Sequence, residues 1–190
     1  KENPGFFLRL ANRQNPDFLW IGCADSRAPA NEIVGLLPGE LFVHRNVANM
    51  VIHADMNCLS VLQYAVEVLR VRHVIVCGHY ECGGVKVAMS PHAHGLIDNW
   101  LRPIEELYRR RKAELQTVGN EQAQFNRLCE LNVVEQALNV ANTTIVQEAW
   151  RNAQSVTVHG WIYNVANGLL QDLGVSLASA DEADELERRH

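Results

Sequence analysis

Long apolar runs are missing from this chain: nowhere do roughly 18 apolar residues follow one another, so no segment has the length of a membrane span. Basic charge is also scarce. Lys and Arg total 17 against 22 Asp and Glu, a formal net charge of −5, which argues against a broad nucleic-acid or anionic-membrane surface and leaves small molecules as the expected partners. No internal repeat and no low-complexity linker divides the chain, so one domain over residues 1–190 is expected, and 47% hydrophobic residues suffice for its core. No charged-then-apolar segment opens it either, and a first residue of Lys1 rather than Met reads as a trimmed start with any targeting segment out of view.

Cysteine is present, but not in the manner of a disulfide framework. Five cysteines, an odd number, stand at positions 23, 58, 77, 82 and 129 in a chain too large to need staples. Reduced thiols and a cytoplasmic location are expected. Cys58, Cys77 and Cys129 read as small apolar core residues.

The runs "DFLWIGC" (17–23) and "ELFVHRN" (40–46) follow Asn-Pro and Pro-Gly breaks and read as buried strands. A helical stripe over "ADMNCLSVLQYAVEVLR" then leads into "HVIVCGH", a third strand, which makes a βαβ unit with parallel strands. Further helices are expected over 97–108 and, as one long element, 125–149. "SVTVHGWIYNV" and "GLLQDLGV" predict a closing strand pair, and "DEADELERR" a solvated helix or frayed end. The fold class is therefore α/β, a mostly parallel β-sheet core flanked by helices, with a C-terminal strand pair.

Chemistry gathers at two predicted strand ends, where open parallel sheets place their ligands. "CADSR" (23–27) closes the first strand and "CGHYECGG" (77–84) the third. Cys23 and Asp25, at i and i+2, point the same way in extended chain, and His79 and Cys82, at i and i+3, share a face of a helical turn. Cysteine sulfur, histidine nitrogen and carboxylate oxygen are the donors that zinc takes. Cys23, His79 and Cys82 leave a fourth position to Asp25 or to a water, the difference between a closed and a catalytic site. Arg27 is placed to hold Asp25 off the ion by a charge-assisted pair. From spacing alone a structural zinc, a redox pair, or a thiol enzyme with Cys23 as nucleophile and His79 as base stay open.

In this order and spacing, "CADSR", "GELFVHRNVAN" and "CGHYECGGV" resemble the β-class carbonic anhydrases of bacteria, from about Asn15 to Val175. The resemblance implies one Zn2+ per chain on Cys23, His79 and Cys82, and reversible hydration of carbon dioxide to bicarbonate and a proton. It also implies homodimers, with a dimer of dimers as the next assembly. Asp25 and Arg27 would form the catalytic dyad, and in one bacterial subgroup this Asp swings onto the metal. The substrate pocket would be lined by Phe42, supplied by the neighbouring subunit, with Val47, Tyr64, Gly83 and Gly84. Trp20, Arg45 and Tyr163 match a second bicarbonate site that regulates the same subgroup, and Ala28 departs from its usual Val.

Other features have plain readings. His92 and His94 in "PHAH" lie in a loop, "RRRK" (109–112) paints a wet helix face, and His44, His53 and His159 have no partner in the sequence, one of them being available for proton relay. Phe6 and Phe7 predict an N-terminal arm, residues 1–16, packed on a partner subunit.

Overall fold

The computed structural model describes residues 5–12 and 14–190, leaving aside the side chain of Arg9. Five strands, β1 (Phe18–Cys23), β2 (Leu41–Asn46), β3 (His73–His79), β4 (Thr157–Asn164) and β5 (Leu169–Leu177), form one sheet in the order β2-β1-β3-β4-β5. The first four run parallel and β5 closes against β4 antiparallel, as the terminal strand pair predicts. β1 and β3 are buried almost throughout, which is why each reads as a near-continuous apolar run rather than an alternating one.

Helices α1 (Phe6–Asn12) and α2 (Ala30–Val34) flank β1. α3 (Met56–Gln63) ends in a π turn over Tyr64–Val68, and α4 (Gly83–Ala88) springs from the end of β3. They are followed by α5 (Ile97–Thr117), α6 (Glu121–Ala141), α7 (Thr144–Arg151) and α8 (Ala180–Arg189). The single helix expected over 125–149 is two. Thr143 accepts a hydrogen bond from the Val146 N–H through its side chain, so a new N-terminus starts where the periodicity runs on unbroken. The acidic tail is a helix, capped at Ser179 through the Glu182 N–H.

One face of the sheet, with Leu19, Ile21, Val74, Val76 and Val158, packs under α3, α6, α7 and α8. The other carries Trp20, Ile75 and Cys77 together with residues of α2. A third cluster joins α4, α5 and α6 and reaches Cys23 and Cys82. Close docking of α6 depends on glycine: a Cβ at Gly78 would stand 2.5 Å from Val133 Cγ2. The arm expected over 1–16 falls partly outside the described residues, at 1–4 and 13. Its described part, 5–12 and 14–16, contains α1, whose Phe7 and Leu8 are exposed.

Candidate metal centre

β1 and β3 are adjacent and parallel, so their carboxyl ends bring Cys23 and His79 to one edge of the sheet. The turn after His79 then returns Cys82 to the same point. It is sharp because Glu81 takes left-handed backbone, φ 59, just before α4. The ligand atoms of Cys23, His79 and Cys82 all lie within 4.8 Å of one another, and all three residues are buried.

The donor set suits zinc on a further ground. His79 Nδ1 faces the Tyr80 carbonyl at 2.8 Å, which fixes the proton there and leaves Nε2 as a lone-pair donor. That Nε2 is buried and has no hydrogen-bond partner. Buried polar atoms are almost always satisfied, so an orphan aimed at two sulfurs fits an ion between them. The thiols favour deprotonation at one member. Cys23 is drawn down to about 4, first by a hydrogen bond from the Cys82 thiol and, against burial, by His79, while Cys82 as the proton holder is driven upward. Burial disfavours a charged His79, but the nearby Cys23 sulfur and its charge overcome this and raise it.

Asp25 stands beside the three ligands rather than among them. Its Oδ2 is 3.8 Å from His79 Nε2, and Arg27 holds it in a two-pronged pair, Nε to Oδ1 at 2.9 Å and Nη2 to Oδ2 at 2.7 Å. These bonds keep the Asp25 carboxyl well below the usual carboxylate range. Arg27 Nη2 also donates to the Glu81 carbonyl at 3.1 Å, so the dyad is tied to the Cys82 turn.

The expected pocket residues divide into two groups. Val47 and Ala48 crowd Gly84, where a Cβ would meet each side chain at 3.0 Å, while a Cβ at Gly83 would meet nothing within 4 Å. Phe42 and Tyr64 form an aromatic pair of their own, with ring centroids 5.9 Å apart, and Tyr64 is exposed. Trp20 and Tyr163 share the cluster on the opposite sheet face. Arg45 donates to the Cys23 carbonyl at 2.8 Å and to the Asp25 carbonyl at 2.5 Å, clasping the loop that carries both.

Sequence reasoning missed the backbone groups around the ligands, the Tyr80 carbonyl and the Ala48 N–H that donates to Cys23 Sγ at 3.3 Å. It also missed the buried amides of Asn132 and Gln136 on α6. Two amides at i and i+4 on an otherwise apolar helix face are a signal the sequence does carry. His159, left without a partner, has two: His73 Nδ1 at 3.1 Å and Ser176 Oγ at 3.1 Å. Both histidines lie toward the amino ends of their strands, away from the metal edge. His44 meets the Asn46 side chain at 3.2 Å and His53 the Asn139 carbonyl at 2.8 Å.

The profile of the family described as carbonic anhydrase matches residues 18–170. A carbonic anhydrase of Emericella nidulans is 48% identical over 173 residues, covering 91% of this chain and 76% of the relative. Among solved structures, a β-carbonic anhydrase of Aspergillus fumigatus superposes with a TM-score of 0.88 at 42% identity, covering 99% of this chain and 88% of that one. One of two tetrameric β-carbonic anhydrases from Sordaria macrospora does so at 0.89 and 38%, covering 93% and 90%. These relatives are fungal, so the likeness supports the β class and not the bacterial subgroup named from the motifs. With a cysteine-histidine-cysteine centre at the sheet's carboxyl edge, this fold and these likenesses, the chain belongs to the β class of the carbonic anhydrase family.

Proposed function

We propose that the chain hydrates carbon dioxide reversibly to bicarbonate and a proton, with zinc held by Cys23, His79 and Cys82. The observation that carries this is the buried, partnerless His79 Nε2 facing two sulfurs within 4.8 Å. Zinc in such a site supplies a Lewis acid that makes hydroxide available near neutral pH. The chain's own residues do the rest. Asp25, held ionised by Arg27, is an acceptor beside the centre that would take a hydrogen bond from a solvent species held there and so orient it toward substrate. Val47 and Gly84 supply apolar contact beside the centre, and the Phe42–Tyr64 pair of one subunit would complete the pocket of its neighbour.

A finer reading concerns regulation. Arg45 grips the Asp25 carbonyl, so bicarbonate taken up by Arg45 beside Trp20 and Tyr163 would release the loop and let Asp25 turn onto the metal. A bicarbonate-inhibited enzyme with such a closing aspartate is the reading this supports, and Ala28 would loosen the packing behind it. The five free cysteines, all buried, fit a reducing cytoplasm. No helix among the described residues is long and apolar enough to cross a membrane.

The competing reading, a zinc-stabilised module without chemistry, has no use for a cation that holds a fourth donor away. Stopped-flow hydration across pH, with zinc content, separates the two. One ion per chain and a rate rising toward alkaline pH are expected, because two thiolates make the ion a weaker Lewis acid than neutral ligands would. Chelation should abolish the rate and added zinc restore it. One ion per chain with no hydration at any pH would hand the case to the binding module. Inhibition by excess bicarbonate that Arg45→Ala leaves untouched would remove the regulatory reading alone.

A further inference from the structure

Ala48 and Asn49 take left-handed backbone, φ 65 and φ 47, although neither is glycine. Such conformations are unfavourable for residues with a Cβ and persist only where their surroundings over-determine them. Here the surroundings are α6. Asn132, Gln136 and Asn139 follow one another at i, i+4 and i+7 along one helix face, and their amides run as a ladder into the turn. The Val51 N–H donates to Gln136 Oε1 at 2.7 Å, Gln136 Nε2 to Asn132 Oδ1 at 3.1 Å, and Asn132 Nδ2 to the Ala48 carbonyl at 3.1 Å. Asn139 Nδ2 braces the far end, donating to the Val51 carbonyl at 3.1 Å and to Gln136 Oε1 at 3.2 Å.

Asn132 and Gln136 are each only 1% exposed. A helix face buried this deeply would pack at least as well with leucine or methionine, since the desolvation of two amides must be offset bond by bond. What the amides achieve that apolar residues would not is to hold the left-handed backbone of Ala48. Asn132 fixes the peptide that follows Ala48 through its carbonyl, and with φ held at 65 the peptide that precedes it presents the Ala48 N–H to Cys23 Sγ at 3.3 Å. Trp100 Nε1 holds the Val47 carbonyl, which shares that preceding peptide with the Ala48 N–H, at 2.9 Å, so the turn is gripped from α5 as well.

We propose that the amide ladder of α6 is a positioning device for the metal centre: Asn132 and Gln136 hold Ala48 in the geometry that aims its N–H at the Cys23 sulfur. This rests on the zinc reading above. A hydrogen bond to a ligand sulfur withdraws electron density that would otherwise pass to the metal, so the ladder sets the ion's Lewis acidity from a helix that contributes no ligand.

Cobalt(II)-substituted protein tests this. In Asn132→Leu the sulfur-to-cobalt charge-transfer band should move to longer wavelength. In the zinc enzyme, the pH midpoint of carbon dioxide hydration should move upward by about half a unit, the scale of one lost hydrogen bond. Combining Asn132→Leu with Ala48→Gly should return both readouts toward wild type, because glycine adopts the left-handed turn unaided. A folded Asn132→Leu that takes up one cobalt per chain with band and midpoint unchanged would make the ladder a packing feature and overturn the proposal. Should that variant not fold, Gln136→Met, which removes the middle rung, is read in the same way, and an unchanged band and midpoint there overturns the proposal equally. Wild-type protein that takes up no cobalt or zinc at all would bring down the zinc reading, and the ladder's role with it.

Discussion

At the scale of single residues, five cysteines of one chemical type have two fates, and position in the fold separates them. Cys58 and Cys129 are pushed up to about 12 by burial among apolar neighbours, and Cys77 is driven up by the same cause. These three behave as core filler, as the sequence reading expected. Cys23 and Cys82 share a polar focus with His79. Cys82→Ser is therefore expected to lose stoichiometric zinc and to lower hydration about a hundredfold or more, whereas Cys58→Ala should keep its zinc and lose only some stability. Metal analysis alongside stopped-flow rates checks both. The candidate ligands were legible because three donors stand at strand ends in spacings that turn them toward each other, although the family resemblance and not the spacing chose zinc over a thiol pair. The Ala48 N–H was not legible, since a backbone group carries no letter of its own and its direction depends on a strained turn.

At the scale of elements, α6 holds the molecule together. It lies across β3 and β4, and Gly78 on β3 lets it approach. Gly78→Ala would drive a Cβ to 2.5 Å from Val133 Cγ2, so a loss of about 1–3 kcal/mol is expected, read as a lower urea midpoint. The helix is also tied to α5 through Arg110, whose Nη2 donates to Glu135 at 2.7 Å. Glu135 is held down to about 2, first by His190 and then, against burial, by Arg110. Its folded value lies below its ordinary 4.5, so its contribution is complete above pH 4.5 and is lost as pH falls through about 2. Wild type should exceed Glu135→Gln in melting temperature at pH 6, and the gap should close toward pH 2. Strand existence was readable from apolar runs and breakers, whereas the sheet order was not. The break at Thr143 was not, because an unbroken apolar stripe outweighs one capping hydroxyl in any periodicity argument.

At the scale of the whole molecule, the first helix leaves large apolar side chains in the open. Phe7 is 77% and Leu8 68% exposed on α1, far more than large apolar residues usually are. If this arm lies on a partner, Phe7→Asp with Leu8→Asp should shift the sedimentation profile to smaller species and lower hydration in step, because Phe42 would no longer reach its neighbour's pocket. An unchanged profile would refute the arm's role. The sequence by itself determined the class of fold, the three candidate metal donors and the presence of the Asp25–Arg27 pair, since each is written in side-chain identity and spacing. Only the tertiary structure decided that Arg45 spends its guanidinium on two carbonyls, and that amides from α6 reach a turn more than 80 residues earlier in the chain, 84 between Ala48 and Asn132. Those choices depend on which hydrogen-bond partners the packed chain brings within reach, and reach across such a separation is a property of the folded molecule rather than of any local pattern.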